Sequence, residues 1–203
     1  IYFLFVVLMT TVTAWSQKTW DGPPTGGSWN EPTNWLPVGV PVNGDTILIN
    51  GGVRGTITDV AASGDIMLRG FRIEGGSDVV LINAANNRTI IVDDEFGSED
   101  FYVEAGSTLT LGSGATGVDI ELRDNYWTEA LIAGTLVVSP GRTYLSDPHN
   151  TIGQKATRVT GVIDNRGAVV GSDITLEFQN GGTYIHAQNA GSIPTATWDA
   201  ASN

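Results

Sequence analysis

Two segments 30 residues apart repeat each other, and this repeat constrains the fold more than any other feature of the sequence. FRIEGGSDVVL (71–81) aligns with FYVEAGSTLTL (101–111), with identical Phe, Glu, Gly, Ser and Leu at matching positions. Shorter echoes follow in IAGTLVV (132–138) and in GSDITL (171–176), which resembles GSDVVL (76–81). A strand–corner–strand unit that recurs in this way is typical of a β-solenoid, in which each coil turns the same corner and stacks on the previous one.

Short β-rich segments separated by turn residues run through the chain from residue 45 onward. They recur roughly every ten residues, which is typical of all-β proteins. Glycine, at 26 residues, suits many tight turns. We therefore predict an all-β chain that forms a right-handed parallel β-helix, with a β-sandwich as the alternative. The segments are DTILIN (45–50), DIMLR (65–69), DVVLIN (78–83), RTIIVD (88–93), DFYVE (100–104), STLTL (107–111), VDIELR (118–123), GTLVVS (134–139), RVTGVID (158–164), SDITLEF (172–178) and GTYIHA (182–187).

The amino terminus has the pattern of a secretory signal. An apolar run is followed by small residues, with Ala14 and Ser16 placed three and one residues before a cleavage point ahead of Gln17. The run is too short to indicate a membrane span. We expect an incomplete signal peptide at 1–16, a cap with the first strand at 17–50, and solenoid coils at 51–203 that continue beyond the last residue.

The chain is acidic and has no cysteine. Asp and Glu number 22 against 10 Lys and Arg, for a formal net charge of −12. This charge repels nucleic acids and anionic membranes, so neither is expected as a partner, and we expect no membrane insertion of the mature chain. An exported protein without disulfides needs another source of stability, and a long regular core supplies one.

Three tryptophans lie in a segment too rich in Gly and Pro for a helix or a long strand. Trp20, Trp29 and Trp35 precede the first predicted strand of the solenoid. Each end of a solenoid needs an atypical cap, because the core is open there and backbone groups lack partners. We expect these indoles to cover the core. The alternative is that they are exposed and stack on a sugar ring as a ligand-binding site.

The same segment resembles the module that opens many exported surface proteins of Bacteroidetes and some autotransporter-type passenger domains. In that module W-x-G is followed by W, NW, G-x-P and GD before an apolar strand. The residues here that match it are Trp20, Gly22, Trp29, Asn34, Trp35, Gly39, Pro41, Gly44 and Asp45. A second stretch, GGTYIHAQNAGSIPTATWDAAS (181–202), resembles a recurrent segment inside such solenoids. The resemblance implies secretion, a β-helix and a surface or adhesive role, and no particular chemistry.

The segment VDIELR (118–123) carries the strongest candidate for catalysis. Its apolar residues alternate with Asp119, Glu121 and Arg123, so we expect one face to be buried and the charged face to be exposed to solvent. Many parallel β-helices are polysaccharide lyases or glycosidases. The two carboxylates could hold calcium against a uronate with Arg123 near the reacting proton, or act as acid and base on a glycosidic bond. Alternating charge is also the ordinary pattern of a half-buried strand.

A run of carboxylates between two predicted strands is a candidate calcium site. Hard cations such as Ca²⁺ take several oxygen ligands, but neither an EF-hand pattern nor a calcium-binding nonapeptide repeat is present. A solvated acidic loop is therefore the favoured interpretation. The candidate metal ligands are Asp93, Asp94, Glu95, Glu99 and Asp100.

These observations favour a secreted or cell-surface structural or adhesive β-helix protein, a rod-like stalk or filament component. We expect no enzymatic activity and no obligatory cofactor, with Ca²⁺ as the one possible ion. Glycans, other surface proteins and further copies of this chain are the expected partners. The alternative is a carbohydrate-active enzyme, a polysaccharide lyase or glycosidase, or a glycan-binding module on the same scaffold.

Overall fold

A computed structural model describes residues 16–93, 99–112, 116–123, 128–146 and 156–203. These residues form 21 short strands and one 3-10 turn at Pro32–Asn34, with no α-helix among them, which confirms the all-β prediction. The first strands are β1 (Gln17–Trp20), β2 (Gly26–Ser28), β3 (Trp35–Leu36), β4 (Thr46–Ile49), β5 (Arg54–Thr58), β6 (Ile66–Leu68), β7 (Gly70–Ile73), β8 (Asp78–Leu81), β9 (Arg88–Val92), β10 (Phe101–Val103) and β11 (Thr108–Leu111). The remaining strands are β12 (Val118–Leu122), β13 (Ala130–Ile132), β14 (Thr135–Val138), β15 (Thr143–Leu145), β16 (Thr157–Val159), β17 (Val162–Asn165), β18 (Ala168–Val170), β19 (Leu176–Phe178), β20 (Thr183–His186) and β21 (Thr197–Trp198).

The strands stack into three sheets that run along the molecule. Sheet 1 has the order β21-β19-β16-β13-β10-β7-β4-β1-β3, sheet 2 the order β2-β5-β8-β11-β14-β17-β20, and sheet 3 the order β18-β15-β12-β9-β6. Neighbouring strands are parallel, except that β1 and β3 pair antiparallel. From β4 to β18 every third strand belongs to the same sheet, which gives five complete coils of a β-solenoid. The predicted solenoid is confirmed, and its right-handed coiling stays a prediction.

The repeat seen in the sequence is the register of the coils. Phe71 pairs with Phe101 in sheet 1, and Val79 pairs with Leu109 in sheet 2. Because side chains alternate across a strand, each coil sends its apolar residues inward at the same positions. The resulting core is continuous, and the Phe71 and Phe101 rings stack within it with centroids 6.0 Å apart.

The corner between sheet 1 and sheet 2 changes length along the solenoid. Four residues form it at 50–53, 74–77, 104–107 and 179–182, whereas two residues form it at 133–134 and 160–161. This shortening contributes to the loss of the 30-residue spacing after the second copy, together with shorter connections elsewhere in the later coils.

The echo GSDITL was assigned to the wrong corner. Leu176 pairs with Thr157 in sheet 1, whereas Leu81, its partner in the sequence alignment, lies in sheet 2. The segment therefore turns the chain from sheet 3 into sheet 1, and its likeness to GSDVVL does not reflect an equivalent position in the coil.

Candidate functional site

The three tryptophans pack against one another at the amino-terminal end of the core. Trp20, Trp29 and Trp35 are 4%, 1% and 0% exposed. The Trp35 ring meets both others edge-on, at centroid distances of 5.1 Å to Trp20 and 4.9 Å to Trp29. Its Nε1 donates to the Trp29 carbonyl at 2.8 Å. A sugar stacks on an exposed indole face, and these rings are turned into the core, so their geometry is that of a cap.

The predicted catalytic residues lie together on the outer face of sheet 3, and each has a partner within the chain. Arg123 Nη2 lies 2.8 Å from Glu121 Oε1. Asp119 Oδ1 accepts a hydrogen bond from the Thr143 backbone N–H at 2.7 Å and lies 3.6 Å from Arg142 Nη1. Asp119 therefore supports the pairing of β12 with β15, and Glu121 is paired with Arg123, which directly follows the strand.

The predicted calcium ligands fall partly outside the described residues, where Asp94 and Glu95 lie. Asp100 Oδ2 accepts from the Glu129 backbone N–H at 3.0 Å. Glu99 Oε1 lies 3.5 Å from Arg158 Nη2. Within the part of the chain that the structure describes, no group of three or more His, Cys, Asp or Glu side chains is arranged to hold a metal ion.

Sheet 1 carries a row of charges on its outer face that sequence reasoning did not find. Arg158 Nη2 lies 3.0 Å from Glu129 Oε2 and 3.5 Å from Glu99 Oε1. One guanidinium therefore pairs with carboxylates from the two preceding coils. The three side chains come from different coils, which the spacing in the sequence does not reveal. These side chains are about one third exposed, and pairs of this kind contribute little stability.

A second cluster on the same face surrounds Tyr102. The Arg72 guanidinium lies over the Tyr102 ring, 4.8 Å from its centroid, and Arg72 Nε lies 2.6 Å from Glu74 Oε1. Partial burial, followed by the nearby charge of Glu104, raises the pKa of the Tyr102 phenol. The phenol therefore stays protonated, and the ring serves as a packing surface for Arg72.

A cleft of about 410 Å³ lies beside the tryptophan cap. We call it the cap cleft. Segment 40–43 forms one wall and segment 61–66 the other, and Trp29 and Asn30 also line it. Sequence reasoning missed this cleft, because one wall precedes β4 and the other follows β5, so the two are separated in the sequence. The one available signal was the run of valines at 38, 40 and 42 inside a Gly- and Pro-rich loop.

Buried polar contacts hold the first wall in place. The Asp45 carboxylate, 3% exposed, accepts from the Val42 backbone N–H at 3.0 Å and from the Ser16 hydroxyl at 2.9 Å. Asn43 Oδ1 accepts from the Met67 backbone N–H at 3.0 Å. These bonds tie the wall to the first coil, so the cleft is formed without a ligand.

The second wall contains a strained turn. Asp59 and Ala61 have φ angles of +57° and +51°, a region that residues with a side chain seldom adopt. The turn is held by Asn30 Nδ2, which donates to the Asp59 carbonyl at 3.1 Å, and by Asn83 Nδ2, which donates to the Val60 carbonyl at 2.8 Å. Strain of this kind persists only where the surroundings fix it, and it concentrates at functional sites.

The lining of the cap cleft combines apolar and neutral polar groups. Val40, Pro41, Val42 and Ile66 supply the apolar surface, and Asn30, Asn43 and Ser63 supply amide and hydroxyl groups; Asp65 is the one charged residue in the lining among the described residues. Asp65 Oδ1 accepts from the Thr89 backbone N–H at 2.8 Å. Among the described residues, Asn43 Nδ2 and the Ser63 hydroxyl have no hydrogen-bond partner.

A scan against protein-family models and searches of curated proteins and of solved structures found no match to this chain. No helix among the described residues has the length and apolarity needed to cross a membrane.

Proposed function

We propose that this chain is part of a secreted or cell-surface structural or adhesive protein, in which the solenoid forms a stalk. The observation that carries the proposal is the unbroken stack of parallel sheets around one apolar core. Each coil adds one strand spacing, about 4.8 Å, along the axis. The coils therefore build a rigid segment whose length increases with coil number, and the loops around it present a contact surface. The apolar run before Gln17 supports export.

The location is tested on intact cells of the source organism. Antibodies raised against purified 17–203 should label intact cells or the culture medium, and labelling should disappear in a strain that lacks the gene. Mild protease treatment of intact cells should remove the signal. Antigen that is detected only after cell lysis would contradict the proposal.

The adhesive role is tested with the same deletion strain. We expect weaker attachment to glycan-coated or cell-coated surfaces, restored by the intact gene and inhibited by the purified chain. Unchanged attachment would contradict the adhesive role and leave the structural role of the stalk intact.

The enzyme alternative is tested with the purified protein and a panel of neutral and uronate-containing polysaccharides. The proposal predicts no cleavage by the native chain. Cleavage that is lost in the double variant Asp119→Asn, Glu121→Gln, while folding is kept, would place a catalytic site on sheet 3 and overturn the assignment.

A further inference from the structure

The cap cleft has the dimensions and rigidity of a small-molecule site. Its volume of about 410 Å³ lies within the range typical of ligand pockets, roughly 300 to 1,000 Å³. Asp45 fixes one wall and Asn83 fixes the other, so a ligand would not have to order either loop. A site formed in advance saves the ordering cost of binding.

The charges around the cleft exclude most ionic ligands. In the part of the chain that the structure describes, no Lys, Arg or His lines it, and the chain carries a net charge of −12, so a phosphate, sulfate or carboxylate group would meet repulsion. Asp65, the lining carboxylate among the described residues, already accepts a backbone hydrogen bond and does not form a multi-oxygen cation site. The cleft therefore favours an uncharged ligand.

The remaining polar groups match a ligand with several hydroxyls. Asn43 Nδ2 donates, the Ser63 hydroxyl donates and accepts, and the second oxygen of Asp65 accepts. Next to them, Val40, Val42 and Ile66 offer apolar contacts. Donors and acceptors placed beside an aliphatic wall complement a sugar ring, which has hydroxyls at its edge and C–H groups on its faces.

We propose that the cap cleft binds a neutral sugar residue of a glycan. This inference deepens the proposed adhesive function and rests on it for its biological setting, while the binding itself belongs to the isolated chain. Trp29 backs the cleft, and its ring is 1% exposed. Recognition therefore comes from the Asn43, Ser63 and Asp65 side chains and the aliphatic wall, with no aromatic platform.

The test measures binding of neutral monosaccharides to the purified chain by saturation-transfer NMR. The probes are glucose, galactose, mannose, fucose and N-acetylglucosamine. Immobilised neutral, sialylated and sulfated oligosaccharides then distinguish free sugar from glycan-borne sugar. We expect transfer to at least one neutral sugar, retention on glycans that contain it, and weaker retention when an acidic group is added.

Two variants assign the binding to the cleft. Asn43→Asp keeps the oxygen that accepts from Met67 and replaces the free amide donor by a carboxylate oxygen, and Ser63→Tyr fills the cleft. Each should weaken binding by about tenfold or more, the effect of losing one good ligand contact. Asn180→Asp makes the same charge change at an exposed corner far from the cleft in sequence and should bind like the native chain.

Three results would overturn the inference: no transfer to any neutral sugar on the panel, equal binding by Asn43→Asp and Ser63→Tyr with native-like melting curves, or preference for the acidic glycans. Sugar binding without a surface location would contradict the proposed function and leave the cleft assignment intact. Surface location without sugar binding would contradict the cleft assignment and leave the proposed function intact.

Discussion

Glycines at the corner between sheet 1 and sheet 2 serve two different purposes. At Gly76 and Gly106 the backbone has φ angles of +69° and +82°, and an added Cβ would have no described atom within 4 Å. At Gly134 and Gly161 the φ angle is ordinary, but a Cβ would overlap backbone oxygens of the preceding coil. Gly76 and Gly106 are therefore needed for their backbone freedom, and Gly134 and Gly161 for their small size.

Alanine substitutions separate these two purposes. Gly161→Ala places a Cβ on the Gly134 carbonyl oxygen, so the coils must move apart, and we expect a loss of about 3 kcal/mol in the free energy of unfolding. Gly76→Ala meets only the backbone penalty, about 1 kcal/mol. Urea titrations of both variants measure the difference. Equal losses would show that the coils are not in close contact at Gly161.

The tryptophan cap gives a second comparison between single residues. Trp35→Ala removes the ring that both other indoles contact, and we expect a loss of about 3–5 kcal/mol. The control is Trp198→Ala at the opposite end of sheet 1, where the ring is 40% exposed and a smaller loss is expected. Thermal and urea unfolding of the two variants provide the measurement. A Trp35→Ala variant as stable as the native chain would contradict the capping role.

Within the elements, one inward-facing tyrosine joins sheets 3 and 1 through a buried polar network. Tyr144 on β15 is fully buried, and its hydroxyl lies 2.7 Å from Thr157 Oγ1 on β16. Ser146 Oγ lies 2.8 Å from the same threonine oxygen and donates to the Thr175 carbonyl at 2.8 Å. The network satisfies polar groups that would otherwise be costly in the core.

This network makes stability sensitive to alkaline pH. Burial raises the pKa of the Tyr144 phenol, and the hydrogen bond with Thr157 opposes this only in part. The unfolded chain therefore loses the proton first, near pH 10. The contribution of Tyr144 is fully present below that pH and is lost as the pH rises toward the folded-state pKa.

Replacement of the phenol tests this linkage. Tyr144→Phe should cost about 1 kcal/mol near neutral pH through the lost hydrogen bond. Its free energy of unfolding should then fall less steeply than that of the native chain between about pH 9 and 11. Tyr102→Phe, on the outer face of sheet 1, is the control, with a smaller change in slope. Urea titrations across this range provide the measurement, and parallel curves for Tyr144→Phe and the native chain would contradict the prediction.

At the level of strands, the sequence best predicted the positions where side chains alternate, or where successive coils have identical residues. The alignment of Phe71 with Phe101 was correct, because both residues occupy the same inward position in successive coils. The missed strands include β5, which a glycine interrupts, and β15 and β18, which are short and follow no clear turn signal. RVTGVID, predicted as one strand, is divided into β16 and β17 by Thr160 and Gly161, a corner of only two residues between two apolar stretches.

The candidate sites were harder to predict, because contacts between coils have no fixed spacing in the sequence. Asp119, Glu121 and Arg123 were placed correctly on one exposed face, yet the partner of Asp119 on the next strand, Thr143, was not foreseen. The cap cleft depends on positive φ angles at Asp59 and Ala61. Neither residue type signals that conformation strongly, so the second wall had no pattern to reveal it.

At the scale of the whole molecule, the first and last described coils differ. The packed tryptophans and the antiparallel strand β3 cover one end. At the other, Trp198 stacks on Phe178 at 4.2 Å and remains 40% exposed, and Ile185 on β20 is 45% exposed. Among the described residues, β20 pairs with β17 on one side, and on the other it bonds to Asn203, whose carbonyl accepts from the Tyr184 backbone N–H at 2.7 Å.

For a purified segment that stops at residue 203, we predict self-association through the edge of β20. A strand edge with exposed apolar side chains is a template for pairing with another copy, and a lysine there opposes it. Ile185→Lys should therefore shift the chain toward the monomer in sedimentation-velocity runs over a range of concentrations. Ile174→Lys, at an equally exposed isoleucine in a turn, should associate like the native chain. Equal behaviour of the two variants, or a native chain that is monomeric throughout, would show that the edge of β20 does not direct assembly.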